Sequence, residues 1–232
     1  MPPSGSIEND TMQIKIGILE VQGAFQEHKV ALMKAQKLLD IETNIQVTEV
    51  RHPDHVTDDL DGLIIPGGES TTISLFLKRN GMEEPLRKWM DEDRHVSWGT
   101  CAGMILLSKF TENQKQGGQP TLGKLDTVVS RNFFGRQVHS FEAPVTVQEK
   151  CLTKTDTDTD SFHGVFIRAP AVVEVCDPSV TVLAKLHRPD KNDDVIVAIQ
   201  QGNVMATAFH PELTEDVRWH LHFLEMVKNA KK

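Results

Sequence analysis

The chain contains the stretch Val96-Ser97-Trp98-Gly99-Thr100-Cys101-Ala102-Gly103-Met104-Ile105-Leu106-Leu107. It passes from one apolar segment through a Gly-x-Cys-x-Gly corner into a second apolar segment, which is typical of a strand that turns sharply into a helix. Such a turn exposes the side chain at its apex, and a thiol there faces unpaired helix N–H groups that stabilise its thiolate form. The stretch predicts an α/β fold with Cys101 as a candidate nucleophile, although an ordinary buried cysteine fits the same pattern.

The residues before this corner alternate between strand-like and helix-like segments. The run at 62–66 is apolar throughout, which favours burial on both faces, as in a parallel sheet. Sheets of this doubly wound kind bind ligands at the carboxyl ends of their strands. Strands are predicted at 14–19, 45–50, 62–66 and 95–98, with helices at 25–39, 72–78 and 83–91.

The residues after the elbow helix have a different pattern, in which turn residues separate short β-rich runs. We expect antiparallel hairpins added to a mostly parallel sheet. A closing helix is predicted at Leu213 to Asn229, with Thr214 as its N-cap. The whole is interpreted as one α/β domain at 13–230, preceded by a disordered polar tail at 1–12. The β-rich runs lie at 137–149, 162–168, 171–175, 180–186, 194–200 and 203–209.

Composition narrows the function classes. The 232 residues carry a formal charge of −8 and a pI of about 5.7, which argues against nucleic acid or an anionic membrane surface as partner. Three cysteines without paired spacing, Cys101, Cys151 and Cys176, fit a reducing compartment better than a disulfide framework. With no signal-like start and no apolar run of about 18 residues, we expect a soluble, cytoplasmic protein.

A histidine and a glutamate near the carboxyl end of the chain are candidates to activate the thiol. His210 and Glu212 follow a predicted strand that ends near Ala208. In extended backbone, residues i and i+2 point the same way, so the carboxylate would orient the imidazole and leave its other nitrogen for Cys101. The alternative is a histidine packed at a strand end beside a surface glutamate.

A glycine-rich turn follows the predicted third strand at Pro66-Gly67-Gly68-Glu69-Ser70-Thr71-Thr72. Glycines at a strand end let backbone N–H groups approach a substrate, as an oxyanion hole requires. A simple strand-to-helix turn would look the same. The turn is not a phosphate loop, because it lacks the Gly-Lys-Ser/Thr ending.

No motif predicts a metal or a cofactor. Asp156, Asp158 and Asp160 resemble the start of a calcium loop, but the sixth position is Ser161 and the twelfth is Ile167 rather than glycine and glutamate. The paired histidines, His52 with His55 and His220 with His222, lack partners for a zinc site and are interpreted as surface or packing residues.

Together these motifs resemble the class I, triad-type glutamine amidotransferases, and most closely the glutaminase subunits of pyridoxal 5′-phosphate synthases. The resemblance covers about residues 13–228 and implies a flavodoxin-like three-layer fold. The segments that carry it are Leu19 to His28, Pro66 to Thr72, Gly99 to Gly103, Arg131 to Gln137, Ser140 to Glu142, Phe166 to Pro170 and His210 to Glu212.

The resemblance also implies a reaction and a partner. Cys101 would attack the carboxamide of L-glutamine, His210 would transfer protons, and Glu212 would orient His210. Ammonia would pass through a channel to a ring-assembling TIM-barrel synthase subunit in a large hetero-oligomer. The implied glutamine contacts are Gly68, Glu69, Ser70, Arg131, Ile167 and Arg168, the implied oxyanion residues are Gly67 and Gly68, and the expected partner interface is Gln22, Gly23, Ala24 and Phe25.

Three alternatives remain open at this point. The chain could supply ammonia to a different synthase, although the Gln22-Gly23-Ala24 and Arg131 to Gln137 motifs speak against it. It could be a flavodoxin-like cysteine hydrolase for another substrate, which protection of Cys101 from alkylation by glutamine would test. It could also be a catalytically silent subunit, but retention of Cys101, His210 and Glu212 argues against silence.

Overall fold

The structure is a computed structural model that describes residues 11–39, 43–112, 120–135, 140–149, 152 and 160–232. The tail predicted at 1–12 and the acidic loop near Asp156 lie mostly outside the described residues. Buried side chains from Ile14 to Val227 form one cluster, which supports the proposal that residues 13–230 are a single domain. Among the described helices, none is long and apolar enough to cross a membrane.

Strands and helices alternate through the first hundred residues, and strands dominate the second hundred. The strands are β1 (Met12–Leu19), β2 (Thr43–Val50), β3 (Gly62–Ile65), β4 (Val96–Thr100), β5 (Ser108–Thr111), β6 (Leu125–Ser130), β7 (Ser140–Val147), β8 (Ser161–Ile167), β9 (Ala171–Val175), β10 (Thr181–Arg188), β11 (Asp193–Gln201) and β12 (Val204–Thr207). The helices are α1 (Phe25–Leu39), α2 (Ser70–Arg79), α3 (Glu83–Met90), α4 (Ala102–Leu107) and α5 (Arg218–Ala230), with short 3-10 helices at Pro53–His55 and Pro211–Leu213.

Five strands form the parallel part of the sheet, in the order β2-β1-β3-β4-β12. This is the strand order of flavodoxin-like sheets, with β12 in the fifth place. Every residue of β3, β4 and β12 is buried, as expected for central strands covered on both faces. The predicted flavodoxin-like α/β fold is confirmed.

The other strands continue the sheet through antiparallel pairs, except that β5 and β6 pair in parallel. β11, β10, β7 and β8 follow β12 in that order, while β9 pairs with β11 and β6, and β5 pairs with β6. The β-rich runs predicted from 137 to 200 therefore add antiparallel strands, whereas the run at 203–209 contains β12, which joins the parallel part beside β4. The sheet as a whole is mixed. The sequence pattern predicted neither β5 nor β6, and β5 follows α4 directly at Ser108 with no turn residue between them.

Consecutive residues of β4 show that helices cover both faces of the sheet. The Trp98 ring contacts Phe223 of α5 at 5.6 Å between ring centroids, whereas the backbone of Gly99 lies against Gly103 of α4. Neighbouring strand residues point to opposite faces. Helices α5 and α4 therefore lie on opposite sides, α1 packs beside α5, and α2 packs beside α4.

The closing helix begins later than predicted. Thr214 is not its N-cap, since α5 starts at Arg218 and the Thr214 hydroxyl donates instead to the carbonyl of Pro211 at 3.0 Å. Residues Pro211–Leu213 form a separate 3-10 turn. The Asp216 carboxylate accepts the Arg218 N–H at 3.0 Å and so satisfies part of the helix start.

Candidate active site

The site forms where parallel strands end at one edge of the sheet. Ile65 of β3 pairs with Gly99 of β4, and Thr207 of β12 pairs with Thr100. The segments that follow these strands therefore begin at the same level of the sheet. They bring Cys101, the glycine turn at 66–69 and the segment at 208–212 together.

Cys101 occupies the predicted turn between β4 and α4. Its backbone has φ 50° and ψ −102°, a left-handed conformation that costs a non-glycine residue free energy. The Cys101 N–H donates to the Thr207 carbonyl at 2.8 Å. A β-carbon on Gly103 would lie 2.1 Å from the Ile65 carbonyl oxygen, so glycine is required there for α4 to approach β3.

His210 and Glu212 are buried and directly bonded. The distance between His210 Nδ1 and a Glu212 carboxylate oxygen is 2.8 Å. The predicted contact is therefore present, but its geometry differs from the prediction, because Glu212 lies in the 3-10 turn rather than in extended backbone. The tight turn at Pro211 directs the carboxylate back towards the imidazole.

The electrostatics of this pair favour an ionised form. Burial alone would lower the pKa of His210, but hydrogen bonds with Cys101 and Glu212 raise it to about 10. Burial would raise the pKa of Glu212, but the facing His28 ring and the hydrogen-bonded His210 ring stabilise the carboxylate and lower that pKa below its ordinary value. A protonated His210 between a thiolate and a carboxylate is the charge arrangement of an activated cysteine nucleophile.

The glycine turn touches the imidazole. A β-carbon on Gly67 would lie 2.4 Å from His210 Cε1, so the absence of a side chain there gives the ring its space. Gly68 has φ +141°, and the next N–H, that of Glu69, donates to the side-chain oxygen of Gln22 at 2.8 Å. The turn predicted to supply oxyanion donors thus lies beside the triad.

One cavity of about 980 Å³ is lined both by the triad residues and by the residues predicted to contact glutamine. The Glu69 carboxylate caps α2 by accepting the N–H groups of Thr71 and Thr72. Arg131 donates to the hydroxyls of Ser70 at 3.0 Å and Thr71 at 2.9 Å. These bonds hold a guanidinium at the cavity wall.

The strand end at Ile167 and Arg168 forms another wall of this cavity. The Cys101 thiol lies 3.7 Å from the Ile167 carbonyl oxygen. Arg168 has φ 44°, so the chain turns sharply there. The other members of the Arg131 to Gln137 motif are described only as far as Gly135.

The expected partner segment is only partly exposed. Gln22 and Gly23 are exposed, Ala24 is half-buried, and all three line the same cavity. Phe25 is 6% exposed and packs in the core. Its side chain therefore belongs to the base of α1 and cannot contribute to an exposed docking surface in this structure.

The cavity also includes residues that were not predicted as site residues from the sequence. They are Glu27, Ile105, Glu112, Asn132 and Leu213. Glu27, Ile105 and Asn132 fall within quoted motifs, whereas Glu112 and Leu213 come from segments whose local pattern has no catalytic signal. Within the described residues, no group of three or more His, Cys, Asp or Glu side chains is arranged to hold a metal ion.

Comparison with known proteins agrees with this geometry. The profile of the SNO glutamine amidotransferase family matches residues 18–229. A probable pyridoxal 5′-phosphate synthase subunit of Arabidopsis thaliana is 41% identical over 235 residues, covering 94% of this chain and 87% of the relative. A pyridoxal 5′-phosphate synthase subunit of Carboxydothermus hydrogenoformans is 44% identical over 214 residues, covering 92% and 98%.

A solved structure gives the same result. The crystal structure of a glutamine amidotransferase superposes with a TM-score of 0.74 at 42% identity, covering 92% of this chain and 98% of that one. The resemblance inferred from the motifs is thereby confirmed. The chain belongs to the SNO glutamine amidotransferase family.

Proposed function

We propose that this protein is the glutaminase subunit of a pyridoxal 5′-phosphate synthase and hydrolyses L-glutamine to L-glutamate and ammonia. The observation that carries the proposal is the chain of contacts from Cys101 to His210 to Glu212 at the wall of one cavity. The synthase relatives, 41% and 44% identical over most of their length, support the pathway.

The first half of the reaction forms a thioester. The Cys101 thiolate attacks the side-chain carboxamide carbon, a C–S bond forms, and the carbonyl electron pair moves to oxygen. Backbone N–H groups of Gly67 and Gly68 are proposed to stabilise that oxyanion. Protonated His210 then gives its proton to the amide nitrogen, the C–N bond breaks, and ammonia leaves with a γ-glutamyl thioester remaining.

The second half regenerates the enzyme. Neutral His210 takes a proton from water as the oxygen attacks the thioester carbon. The C–S bond breaks, glutamate leaves, and the thiolate and imidazolium are restored. Glu212 accepts the Nδ1–H of His210 in both halves, which fixes the ring and stabilises its charged form.

The cavity wall suggests how the amino acid portion of glutamine is held. Arg131 offers a guanidinium, and guanidinium groups bind carboxylates through paired hydrogen bonds, so we assign it the substrate α-carboxylate. Glu69, 3.6 Å from Arg131, places a negative charge nearby for the α-ammonium. Ser70, Ile167 and Arg168 complete the proposed substrate site.

The partner and location are also part of the proposal. The ammonia would be consumed by a ring-assembling TIM-barrel subunit, in a large hetero-oligomer contacted through Gln22, Gly23 and Ala24. These details rest on the family resemblance. A cytoplasmic location is supported by the unpaired thiols of Cys101 and Cys176, because free thiols persist in reducing compartments.

The test is glutamate release from L-glutamine, measured with and without a purified pyridoxal 5′-phosphate synthase subunit. We expect release that rises when the synthase subunit is added and vanishes in Cys101→Ala. Cys176→Ala is the matched control, since this exposed thiol lies outside the cavity, and it should retain full activity. Release that ignores the synthase subunit would contradict the pathway, and no release in either condition would contradict the reaction.

A further inference from the structure

A second layer of polar groups lies behind the triad. His28 of α1 and His220 of α5 are both 0% exposed, and His28 Nδ1 lies 3.0 Å from His220 Nε2. The other nitrogen of His28, Nε2, lies 3.5 Å from the Glu212 oxygen that does not bind His210. The groups form a continuous line from His220 through His28 and Glu212 to His210.

Glu212 presents one buried carboxylate oxygen to His28. Its Oε2 atom is buried and has no hydrogen-bond partner among the described residues within ordinary distance. A buried carboxylate oxygen is costly unless an N–H or a positive charge faces it. The His28 Nε2 atom, although slightly farther than an ordinary hydrogen bond, faces that oxygen directly.

The charge on Glu212 decides where the protons lie. Burial lowers the pKa of both His28 and His220, so both rings are neutral at neutral pH, and each carries one N–H. If His28 carried its proton on Nδ1, the lone pair of Nε2 would face the carboxylate and be repelled. With the proton on Nε2, the N–H points at the carboxylate, and Nδ1 accepts the N–H of His220 Nε2.

The surrounding contacts restrict movement of both rings. Trp98 packs edge-on against His28 at 5.6 Å and against His220 at 4.9 Å between ring centroids. The backbone N–H of His28 donates to the Ala24 carbonyl at 3.1 Å in the first turn of α1. The Thr100 hydroxyl also lies 3.5 Å from His28 Nε2.

We propose that His28, whose Nδ1 accepts the N–H of His220, is a positioning residue that directs its Nε2–H at Glu212 and so holds the carboxylate against His210. The inference rests on the proposed glutaminase function. A carboxylate held at one oxygen only can rotate, whereas contacts at both oxygens fix its plane. Neither histidine touches the cavity, so both act through Glu212.

The first test determines which ring nitrogens carry protons and does not require enzymatic activity. Long-range proton–nitrogen NMR on the ¹⁵N-labelled protein distinguishes protonated from unprotonated ring nitrogens. We expect His28 and His220 each to carry one proton, on Nε2, at neutral pH. A proton on His28 Nδ1, or a doubly protonated His28, would overturn the proposal even if the protein hydrolyses glutamine.

The second test measures kcat and KM for glutamine with the synthase subunit present. His28→Leu removes the N–H, and we expect kcat to fall by about 10-fold to 100-fold with KM unchanged, because small displacements of reacting groups cost that much. His28→Gln keeps an N–H at a similar reach and should recover most of kcat. A kcat in His28→Leu within about 3-fold of the wild-type value would contradict the assignment.

A matched control separates positioning from loss of a buried ring. His95 is also buried, at 2% exposed, and its Nδ1 lies 2.6 Å from the Trp89 carbonyl oxygen. It precedes β4, whose opposite end leads to Cys101. His95→Leu should keep kcat. An equal loss of kcat in both leucine variants would show that burial alone matters and would overturn the proposal. Absence of activity in the wild-type protein would contradict the proposed function, while the NMR result would still decide the tautomers.

Discussion

Gly67 lies against the His210 ring so closely that a β-carbon at position 67 would be 2.4 Å from His210 Cε1. The glycine therefore has a second role besides the oxyanion role proposed for its backbone. It leaves the volume that the imidazole occupies between Cys101 and Glu212. The position of the base thus depends on the absence of a side chain in the loop that follows β3, which β4 separates from β12 in the sheet.

Gly67→Ala should displace His210 from its bonded position. We expect kcat for glutamine hydrolysis to fall by about 100-fold or more, because misplacement by about 1 Å has that effect, while the fold persists. Steady-state kinetics and circular dichroism check this. Gly81→Ala is the control for activity, since a β-carbon there meets nothing within 4 Å; its φ of +66° means that alanine lowers stability there, but kcat should be unchanged. Normal activity in Gly67→Ala would show that the ring has room to move without penalty.

The left-handed backbone at Cys101 should lower the free energy of unfolding. Relief of a conformation of this kind is worth about 1–3 kcal/mol, and glycine costs about 0.5–1 kcal/mol in added chain entropy. Cys101→Gly should therefore be about 1 kcal/mol more stable than Cys101→Ala in urea unfolding, and both should be inactive. Equal stability of the two variants would mean that the turn stores no strain.

His210 should remain protonated across neutral pH. Contacts with Cys101 and Glu212 raise its pKa to about 10 despite burial, so its NMR signals should not titrate between pH 6 and 8 and should change near pH 10. Cys101→Ala and Glu212→Gln each remove or weaken one of the contacts that raise the pKa of His210, so each should move the transition to lower pH. A wild-type transition near 6.5 would contradict the ionised pair.

The buried histidines should make the fold sensitive to acid. Burial lowers the pKa of His28 and His220 below the ordinary 6.5, so their unfolded forms bind protons that the folded forms exclude. The contribution of these histidines to the free energy of unfolding is therefore fully present above pH 6.5. It falls as the pH drops below that value, by up to about 1.4 kcal/mol per pH unit for each proton. His220→Phe should show a smaller pH slope in urea unfolding. An unchanged slope would count against the neutral buried state.

Arg131 should act on substrate binding rather than on the chemical step. Its guanidinium is held by the hydroxyls of Ser70 and Thr71, and a hydrogen bond to a charged group is worth about 1.5–3 kcal/mol. Arg131→Met should raise KM for glutamine by about 10-fold to 100-fold with a smaller change in kcat. Arg131→Lys is the matched variant and should recover part of the loss. A kcat defect with unchanged KM would place Arg131 elsewhere in the mechanism.

The sequence by itself determined the features that depend on neighbouring residues. Apolar runs alternating with helical patterns specify a parallel sheet, and the Gly-x-Cys-x-Gly corner specifies an exposed thiol, because both depend on backbone geometry within a few residues. The pairing of His210 with Glu212 is also local, although a turn rather than an extended strand brings them together. These short-range rules identified the fold class and the triad candidates.

Only the tertiary structure decided the contacts between distant segments. His28 and His220 are separated by 192 positions and meet at 3.0 Å, and Gly67 reaches His210 because β3 and β12 flank β4. Neither contact has a local pattern, since it depends on how strands are ordered and how helices pack over them. The same reason explains why Phe25, placed by sequence at a partner surface, lies in the core.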